Sequence, residues 1–175
     1  MEQKLEEDNR LEKQIDGLVV DIENACLGPA AQLPEAISTA LSKVPADTVA
    51  ALSARAPSQD AYTRRLLHAD VKGRFSVVAL TWLQGQCTPV HAHYTWCAYR
   101  VVQGALQEEQ YIYESASQNA RLAGVISRHV GDTAYGHGGF DQIHKLGNVG
   151  AETAVSLHVY GIDGQRVATH VNRLI

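Results

Sequence analysis

Along the first third of the chain, apolar residues recur at helical spacing; beyond it they sit in short blocks punctuated by glycine. Ile15, Leu18, Val19, Ile22 and Cys26 share one helical stripe, which Gly28 and Pro29 interrupt. A second stripe follows Pro34 through Ala36, Ile37, Ala40, Leu41 and Val44, and Pro45 ends it. A third helix is expected over 47–54, with Asp47 as its N-cap. The charged run over 1–14 reads as a frayed helix or arm.

Past Pro57 the pattern changes. A turn at Asp70, Val71, Lys72 and Gly73 precedes an apolar run over 74–83 that reads as a strand. Further short strands are expected over 97–102, 105–113, 123–129, 133–135, 141–146 and 153–160, and a final strand or arm over 163–175. Closely spaced short strands with glycine turns imply an all-β sandwich or barrel. The expected organisation is a helical segment, 1–57, packed on a β-barrel, 58–175, as a single domain.

Composition narrows the partners. The 175 residues are 45% hydrophobic, which supports a real core. The net charge is −4 and the basic residues are scattered, so no nucleic-acid partner is expected. No apolar run approaches the ~20 residues of a membrane span, and the charged N-terminus does not resemble a signal peptide. Cys26, Cys87 and Cys97 form an odd, sparse set that fits a reducing cytosol, so a cytoplasmic location is expected. A small barrel with no obvious exposed apolar helix is expected to be a monomer.

The candidate chemistry starts in residues 85–104, where His91 and His93 stand two apart. On a strand, both rings would face the same side and form part of a metal site. Gly85 precedes His91 by five intervening residues, three separate His93 from Cys97, and six more lead to Gly104. This resembles the first cupin motif, with Cys97 where that motif has glutamate. The second cupin motif needs a histidine followed by asparagine after three residues, a spacing supplied by His144 and Asn148. His137 is a weaker candidate ligand. Three imidazoles without a carboxylate would leave Fe(II) with its full charge, favouring an anionic co-ligand such as a thiolate. The same donors suit zinc.

Two other stretches bear on the metal. Alternation places Ser156, His158 and Tyr160 on one strand face, where serine and tyrosine can both hydrogen-bond the histidine and orient a phenol for proton transfer. Near the start of the β region stand Tyr62 and Arg64, and an arginine fork is well suited to a carboxylate.

Together, Tyr62-x-Arg64, GRFSVVALTW, TPVHAHYTW, the histidine before Asn148 and SLHVYG resemble the thiol dioxygenases of the cupin superfamily, which include cysteine dioxygenase and 3-mercaptopropionate dioxygenase. The resemblance spans 62–160. It implies a cupin double-stranded β-helix, a jelly-roll barrel, holding Fe(II) on His91, His93 and His144. It further implies an outer-sphere triad of Ser156, His158 and Tyr160. Arg64 falls where cysteine dioxygenases bind the substrate carboxylate, with Tyr62 lining the same pocket. The implied reaction converts a small thiol carboxylate and O2 into a sulfinic acid. Cysteine is the first choice of substrate, and 3-mercaptopropionate or another mercapto acid is the alternative. A metal-dependent cupin acting on a non-thiol substrate is the rival reading.

The chain departs from the family pattern in three places. Counted back from Gly104, Cys97 falls on the cysteine that forms a thioether with the triad tyrosine in animal-type enzymes; counted from His91 it is one residue early. A Cys97–Tyr160 crosslink is therefore a hypothesis. Ala92 replaces the usual aspartate between the two histidines, and Arg166 falls near but out of register with an arginine used by the mercaptopropionate enzymes.

Overall fold

The computed structural model describes residues 2–45 and 57–175. Helix α1 spans Glu2–Ala25 and α2 spans Leu33–Ser42, joined through a 3-10 turn at Ala30–Gln32. The expected helix over 47–54 lies outside the described residues. The charged N-terminal run is not a separate arm but the first half of α1. The apolar stripe extends back to Leu11, so Leu11, Ile15, Leu18 and Ile22 are buried along one continuous face.

Ten strands follow: β1 Thr63–Ala69, β2 Ser76–Trp82, β3 His91–His93, β4 Cys97–Gln103, β5 Ala105–Glu114, β6 Asn119–His129, β7 Thr133–Gly136, β8 Gly139–Gly147, β9 Ala154–Tyr160 and β10 Asn172–Leu174. They form two five-stranded antiparallel sheets, in the orders β1-β2-β9-β4-β7 and β10-β3-β8-β5-β6. This is the double-stranded β-helix of the cupins, preceded by helices. Strand β1 carries no alternation that would mark it in the sequence: its Arg-Arg-Leu-Leu run is aperiodic, and a register shift between Leu66 and His68 breaks its pairing with β2. The tail resolves into turns and the three-residue β10, which pairs with β3.

Two cores explain the layering. The helices cover the outer face of the first sheet, where Ile22, Ile37 and Leu41 pack with Val77, Ala79, Val155, Leu157 and Val159. Between the sheets lies a second cluster that includes Val78, Leu80, Trp82, Cys97, Leu146 and Tyr160. Strands β2 and β9 are consequently buried on both faces. That is why the polar side chains Ser156, His158 and Tyr160 point into the barrel interior and not into solvent.

Polar ties fix the helices to the barrel. Arg100, on β4, donates to the carbonyls of Leu41, Ser42 and Val44 at the end of α2. Arg74 bridges Asp70 of the β1–β2 turn, at 2.8 Å, to Glu23 of α1, at 2.7 Å. Among the described residues, no helix is long and apolar enough to cross a membrane.

Candidate metal centre

The glycines that bracket the histidine stretch are backbone requirements. Gly85 and Gly104 have φ of +81° and +67°, and a Cβ on Gly104 would meet the Thr153 carbonyl at 2.9 Å. Between them the chain makes one short strand, β3, with a histidine at each end, before β4 begins. His144 of β8 lies directly opposite His91, and a register irregularity places His93 opposite Gly139.

The three rings converge. One nitrogen from each lies within 4.8 Å of the others, and the ring centroids are separated by 4.7, 4.9 and 5.1 Å. All three residues are buried. His91 Nδ1 donates to the Pro89 carbonyl at 2.9 Å, and His144 Nδ1 donates to Glu108 Oε1 at 2.8 Å. In the neutral form of each of these rings Nε2 therefore keeps its lone pair. His93 Nδ1 is buried without a hydrogen-bond partner. Burial, then the neighbouring His144, lowers the His91 pKa to about 4, and the same causes push His93 well below its ordinary value. Three imidazoles facing one point fit a divalent transition metal ion. Among the described residues, no carboxylate joins this cluster. His137 is exposed and outside it.

The opposite wall comes from the first sheet. Trp82 Nε1 donates to Ser156 Oγ at 2.9 Å; Ser156 Oγ and His158 Nε2 lie 2.8 Å apart; His158 Nδ1 and the Tyr160 hydroxyl lie 3.1 Å apart. The indole N–H is a pure donor, so Ser156 accepts from it and gives its own proton to His158 Nε2. A neutral His158 then carries its proton on Nδ1 and donates it to the Tyr160 oxygen. This leaves the phenolic O–H free for the cavity. Burial, then the Arg64 charge, holds His158 well below its usual pKa and hence neutral. Burial, then Cys97, raises the Tyr160 phenol well above its usual value, so it stays protonated and able to donate.

Arg64 of β1 lines the same cavity as the three histidines, His158 and Tyr160. Its guanidinium donates to the Tyr62 hydroxyl at 2.9 Å, and the Tyr62 ring stacks on Trp82 with centroids 4.4 Å apart. Cys97 also lines the cavity and pairs directly across from Tyr160 in the β4–β9 register. Ala92 is fully buried between the two histidines. Arg166 is exposed and does not line the cavity. Asn148 is not among the converging ligands: its side-chain amide donates to the Trp82 and Glu152 carbonyls, pinning the end of β8 to β2.

Four participants were not singled out from sequence. Thr88 and Asn172 line the cavity, and the position of Asn172 depends on β10 pairing with β3. Trp82 lies inside a matched motif but carries no visible chemical signal. Glu108 did leave one: it shares the buried phase of β5 with Leu106, which is an unusual place for a carboxylate.

A metal-binding centre between the two sheets of a double-stranded β-helix defines a cupin. A family model described as cysteine dioxygenase type I matches residues 36–167, and the chain belongs to that family, whose members are metal-dependent cupin oxidoreductases. Similar solved structures include an uncharacterized conserved protein with a double-stranded β-helix domain from Klebsiella pneumoniae subsp. pneumoniae MGH 78578. It is 20% identical with a TM-score of 0.49, over 63% of this chain and 80% of that one. The TT1209 protein of Thermus thermophilus is 17% identical with a TM-score of 0.49, over 62% and 90%. A Cupin 2 conserved barrel domain protein from Salinispora arenicola CNS-205 is 16% identical with a TM-score of 0.45, over 61% and 80%.

Proposed function

We propose that the protein is a mononuclear non-heme Fe(II) thiol dioxygenase that converts a small thiol carboxylate and O2 into the sulfinic acid. The observation that carries this reading is the three-imidazole cluster sharing one cavity with Arg64 and the Ser156–His158–Tyr160 relay. His91, His93 and His144 hold the iron. When bound, Fe(II) supplies the redox chemistry and the open positions that bring a thiolate and O2 together.

The chain's own residues do the rest. Arg64, steadied by Tyr62, takes the substrate carboxylate and so fixes which end of the molecule faces the histidines. Leu80, Leu146 and Trp82 keep that end dry. Tyr160 presents its O–H to the reacting groups and is held in that orientation by His158 and Ser156. The thiol gives up its proton on binding and both atoms of O2 finish on sulfur, so RSH and O2 balance RSO2H.

Cysteine is the preferred substrate because of Arg64, with 3-mercaptopropionate and other mercapto acids as the second reading. Anaerobic Fe(II) reconstitution followed by oxygen uptake against a panel of small thiols tests both. Uptake that needs an added thiol and yields the sulfinate is expected; uptake independent of thiol would favour a cupin acting on another substrate. The direct pairing of Cys97 with Tyr160 also supports a thioether between them. That bond would join Sγ to a ring carbon with loss of two hydrogens to O2. Intact mass after aerobic turnover should be lighter by two hydrogens; an unchanged mass in active enzyme would exclude the crosslink.

A further inference from the structure

Behind His144 stands a carboxylate with no access to solvent. Glu108, on β5, is 0% exposed. Its Oε1 accepts the His144 Nδ1–H at 2.8 Å. Its Oε2 accepts from Arg128 of β6, with Nε at 2.8 Å and a second bond from Nη2. The Arg128 side chain is itself 18% exposed. A buried carboxylate is costly unless every oxygen is engaged, and an apolar pair of equal size would serve packing as well or better. Packing alone does not explain its presence here.

We propose that Glu108, pinned by Arg128, is the positioning residue that fixes His144 in the tautomer able to ligate the metal. This rests on the three-histidine reading of the centre. A ligating imidazole needs its second nitrogen protonated and held, and a carboxylate acceptor on Nδ1–H does this while strengthening Nε2 as a donor. Arg128 has two roles. It offsets the carboxylate charge, so a divalent metal at the site keeps its demand for an anionic substrate. It also claims Oε2, which decides which way the Glu108 side chain is used. The two bonds from Arg128 can only be accepted by oxygen.

That last point gives a test with an unusual signature. In Glu108→Gln the amide oxygen must turn toward Arg128, so the NH2 group faces His144 Nδ1. The ring is driven to the tautomer with its proton on Nε2, which must give up that proton arrangement before it can ligate. In the double variant Glu108→Gln/Arg128→Met the constraint is gone. The amide can rotate, its oxygen can accept from Nδ1–H, and its NH2 can turn to the partly exposed side that Arg128 occupied.

Long-range 1H–15N correlations of His144 in the metal-free protein read the tautomer directly, and chelator competition under anaerobic conditions reads Fe(II) affinity. The expected order is Nδ1–H in the wild type, Nε2–H in Glu108→Gln with about 10–100-fold weaker iron binding, and a return to Nδ1–H with most of the affinity restored in the double variant. If Glu108→Gln does not fold, the double variant must still show Nδ1–H and near wild-type affinity. Unchanged affinity in Glu108→Gln, or equal loss in both variants, overturns the positioning role while leaving the metal centre intact. If His144→Ala binds Fe(II) as the wild type does, the three-histidine reading itself fails, and the proposal with it.

Discussion

Replacing Arg64 by alanine removes the cationic group proposed to bind the substrate carboxylate. A hydrogen bond to a charged partner contributes about 1.5–3 kcal/mol. Arg64 is exposed at the cavity mouth in the free protein, where solvent screens part of that interaction. Against this, Tyr62 already holds the guanidinium, with a 2.9 Å hydrogen bond and the ring 5.4 Å from its carbon, so little side-chain freedom is lost on binding. A net loss of about 1–2 kcal/mol follows, which is roughly a 5–30-fold rise in KM for carboxylate thiols. The turnover number should change less, because the clamp lies away from the reacting sulfur. Steady-state oxygen uptake at saturating O2 separates the alternatives when cysteine and 3-mercaptopropionate are compared with cysteamine, which lacks a carboxylate. Arg64→Ala should leave cysteamine kinetics nearly unchanged, and Arg64→Lys should recover part of the loss without the planar fork. An unchanged KM for the carboxylate thiols, or an equal rise for cysteamine, would refute the clamp.

The remaining predictions concern the relay and the fold. Trp82→Phe keeps the aromatic stack on Tyr62 but deletes the N–H that Ser156 accepts; it should slow turnover or uncouple oxygen use from product while iron content stays stoichiometric, and full coupled activity would show that the relay does not need this donor. Asp70 accepts three hydrogen bonds from Arg74, which hold its carboxyl well below the usual range. Its contribution is therefore fully present above the unfolded pKa of about 3.9 and is lost as pH falls toward the folded value. Asp70→Asn should lower Tm at neutral pH and flatten the fall in Tm between about pH 4 and 2; parallel pH profiles would contradict this. Ile22→Ala empties a fully buried site where α1 packs on the sheet and should cost about 2–5 kcal/mol in chemical denaturation. A cost near zero would mean that the helix is not part of the cooperative core.

Much of this was legible in the sequence because it depends on local spacing. The HxH pair, the histidine before Asn148 and the Ser-x-His-x-Tyr strand each carry their geometry within a few residues. The glycines mark turns for a steric reason that does not depend on the rest of the fold. What was missed depends on distant pairing. β1 is a strand because β2 accepts it, not because Arg65, Leu66 and Leu67 alternate. Asn172 reaches the cavity through a three-residue strand at the far end of the chain. Glu108 lies 36 residues from His144 along the chain, yet the two share a hydrogen bond because β5 and β8 pair. The charged N-terminal run reads as solvated because Asp8, Asn9, Arg10, Glu12 and Lys13 are indeed exposed. The apolar position at Leu11 among them is enough to extend the buried stripe by a further turn.

The division of labour between the sheets gives Trp82 a role that no pairwise contact suggests. The three histidines all come from β3 and β8 of one sheet, whereas Arg64, Trp82, Ser156, His158 and Tyr160 come from β1, β2 and β9 of the other. Within that second group Trp82 is the shared element. One face of its ring supports Tyr62, which holds Arg64, and its N–H engages Ser156, which starts the chain of hydrogen bonds to Tyr160. The residue is 0% exposed, so close packing fixes its position more firmly than that of Arg64 at the outer end of the arm. The carboxylate clamp proposed for Arg64 and the orientation proposed for the Tyr160 phenol would thus share one rigid origin. A substitution that shifts the indole would move both together, whereas Trp82→Phe removes the hydrogen bond and the five-membered ring but keeps an aromatic ring against Tyr62. If that variant alters coupling without changing KM, and Arg64→Ala alters KM without changing coupling, the two arms are chemically separate; a Trp82 substitution that shifts the ring and changes KM and coupling together would show that they are mechanically joined there.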